Sequence, residues 1–272
     1  MRLAAAHYEN FPVAPGFLPH PARRALAAIY AFARTADDLA DEGDASPRLR
    51  LERLDTLAEH LNRAARGEPP EDPLFEALAE AMARFRLDPR QFHHLLSAFR
   101  QDVTKHRYAH LGEVMDYCRR SANPVGRLVM AVAGDAHPRH LAWSDATCTA
   151  LQWINFLQDL HADLVERDRL YLPQDELERF GVSEEQLRTR SNVPAVHALL
   201  DHQLRRTRRI LEAGLPLGRT LSGRMGLFVR AIQHSGLRAL GRLEAPRPDL
   251  FEPPRLTRSD RLLALGRALF PF

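Results

Sequence analysis

The chain has 272 residues, 45% of them hydrophobic and only 14 of them glycine, so it can bury a large core and is neither disordered nor low-complexity. Net charge is +3 and Lys105 is the sole lysine, so the pI of 9.2 reports an arginine bias and not a nucleic-acid-binding surface. Two cysteines, Cys118 and Cys148, make no disulfide framework, and the start of the chain reaches Glu9 before any long apolar run, so the expected place is the cytoplasm.

Helical periodicity recurs along the chain and strand alternation is nearly absent. After an extended start through Pro12, Pro15 and Pro19, the first helix is expected over 21–42, with Gly43 as its C′ residue. Pro47 opens a second over 47–66, and further helices are expected over 73–86 and 89–105, the last with Asp88 as N-cap and Pro89 at N1. A helix over 111–133 carries Pro124, which should kink it. A long helix follows over 138–166, and Arg169 to Pro173 leaves it as an extended loop. Helices over 194–213 and 217–240 precede a proline-rich stretch, Ala245 to Pro254, and an amphipathic tail over 258–269. The expected fold class is all-α, a single-domain helical bundle over 1–272 with a central cavity.

Two acidic clusters stand out. Asp37 and Asp41 are four residues apart on the first helix, and Asp159 and Asp163 are four apart on the long one. At about 100° per residue, Tyr30, Arg34, Asp37 and Asp41 share a stripe roughly 60° wide, and Gln152, Asn155, Asp159 and Asp163 share one roughly 80° wide. Like charges at this spacing destabilise a helix, and Asp37 and Asp41 also lie at its C-terminal end, where the macrodipole disfavours anions. A cation between the two stripes would remove both penalties. Mg²⁺ suits such oxygen donors, while Cys and His at zinc spacing are missing. Opposed across an apolar cavity, the stripes would bind a diphosphate head with a long hydrocarbon tail.

These residues carry a resemblance. The run Tyr30-Ala31-Phe32-Ala33-Arg34-Thr35-Ala36-Asp37-Asp38-Leu39-Ala40-Asp41-Glu42 resembles the first aspartate-rich motif of the squalene/phytoene synthases. Gln152 to Asp163, followed by Leu170-Tyr171-Leu172-Pro173, resembles their second, and Tyr117-Cys118 with Val125-Gly126 resembles the motif between them. His7-Tyr8-Glu9-Asn10-Phe11 is similar to the family's N-terminal flap. The resemblance implies an isoprenoid (terpenoid) synthase bundle that uses two or three Mg²⁺ ions. Asp37, Asp41, Asn155, Asp159 and Asp163 would hold metal and diphosphate. His7, Asn10, Phe11, Tyr30, Arg34, Gln152 and Tyr171 would surround a prenyl diphosphate, and Tyr117 would lie near the reacting carbons.

Departures from the condensing members narrow the expectation. Ser121-Ala122-Asn123-Pro124 stands where they read Val-Ala-Gly, Gln158 replaces an Arg, Glu9 replaces a Lys, and Gly236 falls where a C-terminal Tyr is expected. With the opening His-Tyr-Glu-Asn-Phe-Pro-Val-Ala, these features resemble the bacterial hydroxysqualene synthase branch of hopanoid pathways, whose members ionise presqualene diphosphate and quench the cation with water. No GxGxxG motif is present, so NADPH is not expected. Ser121 and Asn123, with Tyr117, are expected to position that water, Pro124 turning Asn123 inward. The alternatives are a synthase joining two prenyl diphosphates and a non-enzymatic assembly factor of the same fold. Expected partners are the prenyl diphosphate and, by transient handover, other squalene-pathway enzymes; the C-terminal leucines could touch the inner face of a membrane.

Overall fold

The computed structural model describes residues 15–246, 249–252 and 256–269. Fourteen helices are present among them: α1 (His20–Asp41), α2 (Pro47–Ala65), α3 (Pro73–Phe85), α4 (Pro89–Asp102), α5 (Leu111–Ser121), α6 (Asn123–Val132), α7 (Pro138–Gln158), α8 (Leu160–Glu166), α9 (Gln174–Phe180), α10 (Glu184–Arg188), α11 (Pro194–Gly214), α12 (Pro216–Thr220), α13 (Gly223–Glu244) and α14 (Arg258–Ala268). The all-helical expectation holds, and local chemistry explains most boundaries. Ser46, Asp72 and Asp88 each accept a hydrogen bond from a backbone N–H of the helix they cap, at 3.3, 2.7 and 3.0 Å, with a proline directly behind. Gly43 sits just past α1 at φ 74°, the left-handed conformation that a C′ residue adopts.

Two buried clusters divide the bundle. One joins α1 to α4, with Phe32, Phe75 and Phe92 at its centre and Leu128, Val132 and Phe228 closing it. The other joins α5, α7, α8 and α11 around Trp153, Ile154, Leu164 and Leu211. Trp153 is fully buried, as expected for a core residue. Among the described residues, no helix is long and apolar enough to cross a membrane. The tail helix α14 docks on α13 through Asp260, whose carboxylate accepts from Arg238 Nε at 2.7 Å and Arg242 Nη2 at 2.9 Å. Its outward Leu263 and Leu269 stay exposed.

Three expectations need correction. The helix expected over 138–166 breaks at Asp159, whose ψ of 7° bends the axis, although Asp159 N–H still reaches the Asn155 carbonyl at 2.8 Å. The helix expected over 217–240 is two: Leu221 turns extended after α12, and Gly223 at φ 63° starts α13, which runs on to Glu244. The stretch after Pro173 carries the short helices α9 and α10, too brief to show a period in the sequence.

Candidate active site

A cavity of about 430 Å³ opens at the seam between the two clusters. From α1 it receives Tyr30, Arg34, Asp37 and Asp41; from α7 and α8 it receives Gln152, Asn155, Asp159 and Asp163. Both predicted stripes therefore line one cleft, on opposing walls, because each lies on the face its helix turns toward the seam. Tyr117 and Ser121 of α5 and Phe99 and Asp102 of α4 make the floor.

Crowded carboxyls dominate the electrostatics. Burial and the neighbouring Asp41 push Asp37 up to about 7, against the lowering effect of Arg34. Burial and Asp159 do the same to Asp163, which also rises to about 7. The balancing cations are arginines. Arg34 donates to Asp37 at 3.1 Å and pairs with Asp38 at 2.7 Å. Arg169 grips Asp41 with two nitrogens, at 2.9 and 3.1 Å. Arg167 spans the cleft, 3.5 Å from Asp41 and 3.3 Å from Asp163. The Nε atoms of Arg34 and Arg169 are buried without a hydrogen-bond partner.

Under the acids lies a network built around Asp102, which is 4% exposed. Its Oδ2 accepts from the Tyr117 hydroxyl at 2.7 Å and its Oδ1 from the Tyr171 hydroxyl at 3.0 Å. Arg169 donates to the Asp102 carbonyl at 3.0 Å, so one guanidinium ties this network to Asp41. Tyr171 is held in place by short pairing of two loops, in which Leu170 N–H donates to His106 O at 2.9 Å and Gln174 N–H to Tyr108 O at 2.9 Å. Its ring stacks on Phe156, with centroids 4.0 Å apart, and lies 5.2 Å from Tyr117. Burial pushes Asp102 up to about 7 and, with its charge nearby, holds both phenols well above their ordinary range.

A second cavity, of about 250 Å³, continues from the first. It shares Tyr30, Ala33, Ser121, Gln152 and Asn155 with the cleft, and beyond them its walls are mostly apolar: Leu26, Ile29, Val129, Leu217, Phe228 and Ile232 among them. A polar mouth thus runs into a greasy interior.

Of the predicted site residues, ten come together on the cleft: Tyr30, Arg34, Asp37, Asp41, Tyr117, Gln152, Asn155, Asp159, Asp163 and Tyr171. Ser121 joins them at the junction of the two cavities. Asn123 does not. Ala122, at φ −115°, ends α5, and Asn123 with Pro124 starts α6, so its Oδ1 turns to α7 and accepts from Thr149 Oγ1 at 2.9 Å. It pins two helices together and lines neither cavity. His7, Asn10 and Phe11 lie outside the described residues. Gly236 faces Leu151 of α7, whose Cδ2 would stand 2.8 Å from an added Cβ, so a larger residue there would have to move the Leu151 side chain. Sequence reasoning missed Asp102, Arg167 and Arg169. A lone Asp near a helix end gives no signal, whereas the two arginines of Arg167-Asp168-Arg169, just ahead of Leu170-Tyr171, could have been noticed.

Comparison with known proteins extends the match beyond the cleft. The squalene/phytoene synthase family matches residues 4–262. The hydroxysqualene synthase of Rhodopseudomonas palustris is 41% identical over 227 residues, covering 83% of this chain and 76% of that one. The enzyme of that name from Sinorhizobium fredii is 44% identical over 188 residues, 68% of this chain and 62% of that one. Among solved structures, the squalene synthase HpnC from Alicyclobacillus acidocaldarius aligns with a TM-score of 0.78 at 32% identity, covering 100% of this chain and 93% of that chain. The bundle is therefore a terpenoid synthase fold, and with the family match running through nearly all of it, the chain belongs to the squalene/phytoene synthases.

Proposed function

We propose that the protein converts presqualene diphosphate and water to hydroxysqualene and diphosphate, with Mg²⁺ bound in the cleft. Membership of the family makes it an enzyme acting on prenyl diphosphates. The observation that carries the finer reading is the continuity of two unlike cavities through Ser121, a hydroxyl at the seam where condensing members carry an apolar residue. Similarity to two hydroxysqualene synthases supports the same choice.

The donor set fits the ion. Asp37, Asp41, Asn155, Asp159 and Asp163 offer hard oxygens, and neither His nor Cys lines the cleft. Among the described residues, no three Asp, Glu, His or Cys side chains are grouped closely enough to hold a metal ion by themselves. Mg²⁺ would therefore have to take most of its shell from waters and substrate phosphates. When bound, it would neutralise charge on the departing diphosphate.

The chain's own residues would do the rest. Arg34 and Arg169 line the cleft and would supply positive charge for the phosphate oxygens. Phe156 and Tyr117, which line the cleft, would offer aromatic surface to the carbocation left behind. The apolar cavity excludes bulk water, so the cation meets only a water that the walls hold.

The test is to incubate pure protein and Mg²⁺ with presqualene, farnesyl or geranylgeranyl diphosphate and identify the lipid by mass spectrometry. The expected result is an alcohol from presqualene diphosphate, unchanged by NADPH. Squalene formed only with NADPH, or phytoene from geranylgeranyl diphosphate alone, would overturn the reading in favour of a reductive or condensing synthase.

A further inference from the structure

Water capture by a carbocation leaves a proton that must go somewhere. A C–O bond forms, one O–H bond of the water breaks, and nothing is oxidised or reduced. In an apolar cavity a stranded proton would return to the oxygen and reverse the addition, so the alcohol survives only if a base lies within reach. The departing diphosphate is one acceptor. The floor of the cleft offers another.

Three side chains define it. The Oγ of Ser121 is buried and has no hydrogen-bond partner. An orphan of this kind is destabilising unless something satisfies it. Ser121 lies four residues after Tyr117 on α5, one turn along the same face, and both line the cleft. The Tyr117 hydroxyl spends its proton on Asp102 Oδ2 at 2.7 Å, so its oxygen retains accepting capacity. Ser121 Oγ and Tyr117 Oη thus provide the two polar partners that an ordered water needs in an otherwise apolar site. Gln152, on the wall opposite and shared by both cavities, supplies a third.

We propose that Asp102 is the proton acceptor for water capture, acting through Tyr117 on a water held between Tyr117 and Ser121. As the C–O bond forms, the water gives a proton to Tyr117 Oη, and the phenolic proton moves along the existing hydrogen bond to Asp102 Oδ2. Tyr171 donates to the other carboxylate oxygen at 3.0 Å and fixes the orientation of Asp102. Arg169 donates to the Asp102 backbone carbonyl and so steadies the end of α4 that carries the acceptor. The proton returns by the same route when product leaves and the cleft refills with water. Burial already places Asp102 near 7, where a carboxyl can take a proton and give it back. This inference rests on the water-capture reading above.

The experiment measures the share of alcohol among all products formed from presqualene diphosphate. Wild type is compared with Asp102→Asn, Tyr117→Phe and Ser121→Ala. Asp102→Asn keeps shape and burial but takes no proton, and Tyr117→Phe keeps the ring and breaks the relay. In both, the alcohol share should fall at least about tenfold, with dehydrated hydrocarbons in its place, since general-base assistance is worth about 10²-fold or more. Ser121→Ala should lower it less, because Tyr117 still holds the water. An unchanged alcohol share in Asp102→Asn or Tyr117→Phe overturns the proposal while leaving water capture standing. If Asp102→Asn does not fold, Tyr117→Phe decides. If the folded variants release no diphosphate, the network serves ionisation and the proposal also falls. A wild-type enzyme that makes no alcohol removes the parent reading, and this inference with it.

Discussion

Asp37 faces Asp41 one turn along α1, with Arg34 as its cation and Asp102 below, and the sum of burial and like charge leaves its carboxyl up at about 7. A group held that far above its ordinary value destabilises the folded protein when ionised, so its presence needs a compensating role. Asp37→Asn should lower turnover with Mg²⁺ by about 10²-fold or more, the scale on which stabilisation of a developing charge acts. Its Tm should hold or rise, because a repulsion is removed. Turnover near the wild-type value with a lowered Tm would mean that Asp37 is structural. The stripes themselves were legible because side chains four apart share a helix face whatever the helix packs against. Asp102 was not, because its partners Tyr117 and Tyr171 are 15 and 69 residues away and only folding brings them together.

Helix boundaries were legible wherever a cap or a proline writes them locally, as at Ser46-Pro47, Asp72-Pro73 and Asp88-Pro89. Packing contacts between helices were not. The C-terminal end of α11 meets α7 and α13 at Gly214, where an added Cβ would stand 2.4 Å from Thr147 Oγ1 and 2.9 Å from the Trp143 carbonyl. Gln233 of α13 reaches the same point, donating to Gly214 O at 2.9 Å and to Thr147 Oγ1 at 3.2 Å. Thr147 cannot retreat without losing its 3.0 Å bond to the Trp143 carbonyl. Gly214→Ala should therefore cost about 1–3 kcal/mol of overpacking. In thermal melts this should appear as a Tm lower by roughly 3–10 °C for a protein of this size. A variant as stable as wild type would show that α11 can slide at no cost.

For the molecule as a whole, the crowded cleft ties stability to pH. Asp37, Asp102 and Asp163 have an ordinary value of 3.8 and rise to about 7 in the folded protein. Between those values the folded state binds more protons than the unfolded one, so the stability these groups give is full below about 4 and lost as pH rises to about 7. His93, His94, His202 and His234 are held below their ordinary range by burial, and they pull stability the other way. The informative quantity is thus the difference between wild type and an Asp37→Asn, Asp163→Asn double variant in metal-free buffer. The variant should gain Tm relative to wild type as pH climbs from 4 to 7, and added Mg²⁺ should stabilise wild type more than the variant at pH 7.5. A difference that does not change with pH would remove the crowding argument. By itself the sequence determined the helical class, most helix starts, the two acid stripes and the family they resemble, because each rests on residues within a turn or two of one another. Only the tertiary structure decided that Asp102 underlies both tyrosines, that Arg167 and Arg169 balance the acids, and that Asn123 turns away from the cavity. Those outcomes depend on side chains from α1, α4, α5, α7 and the loop after α8 meeting at one seam, and no local pattern encodes where distant helices cross.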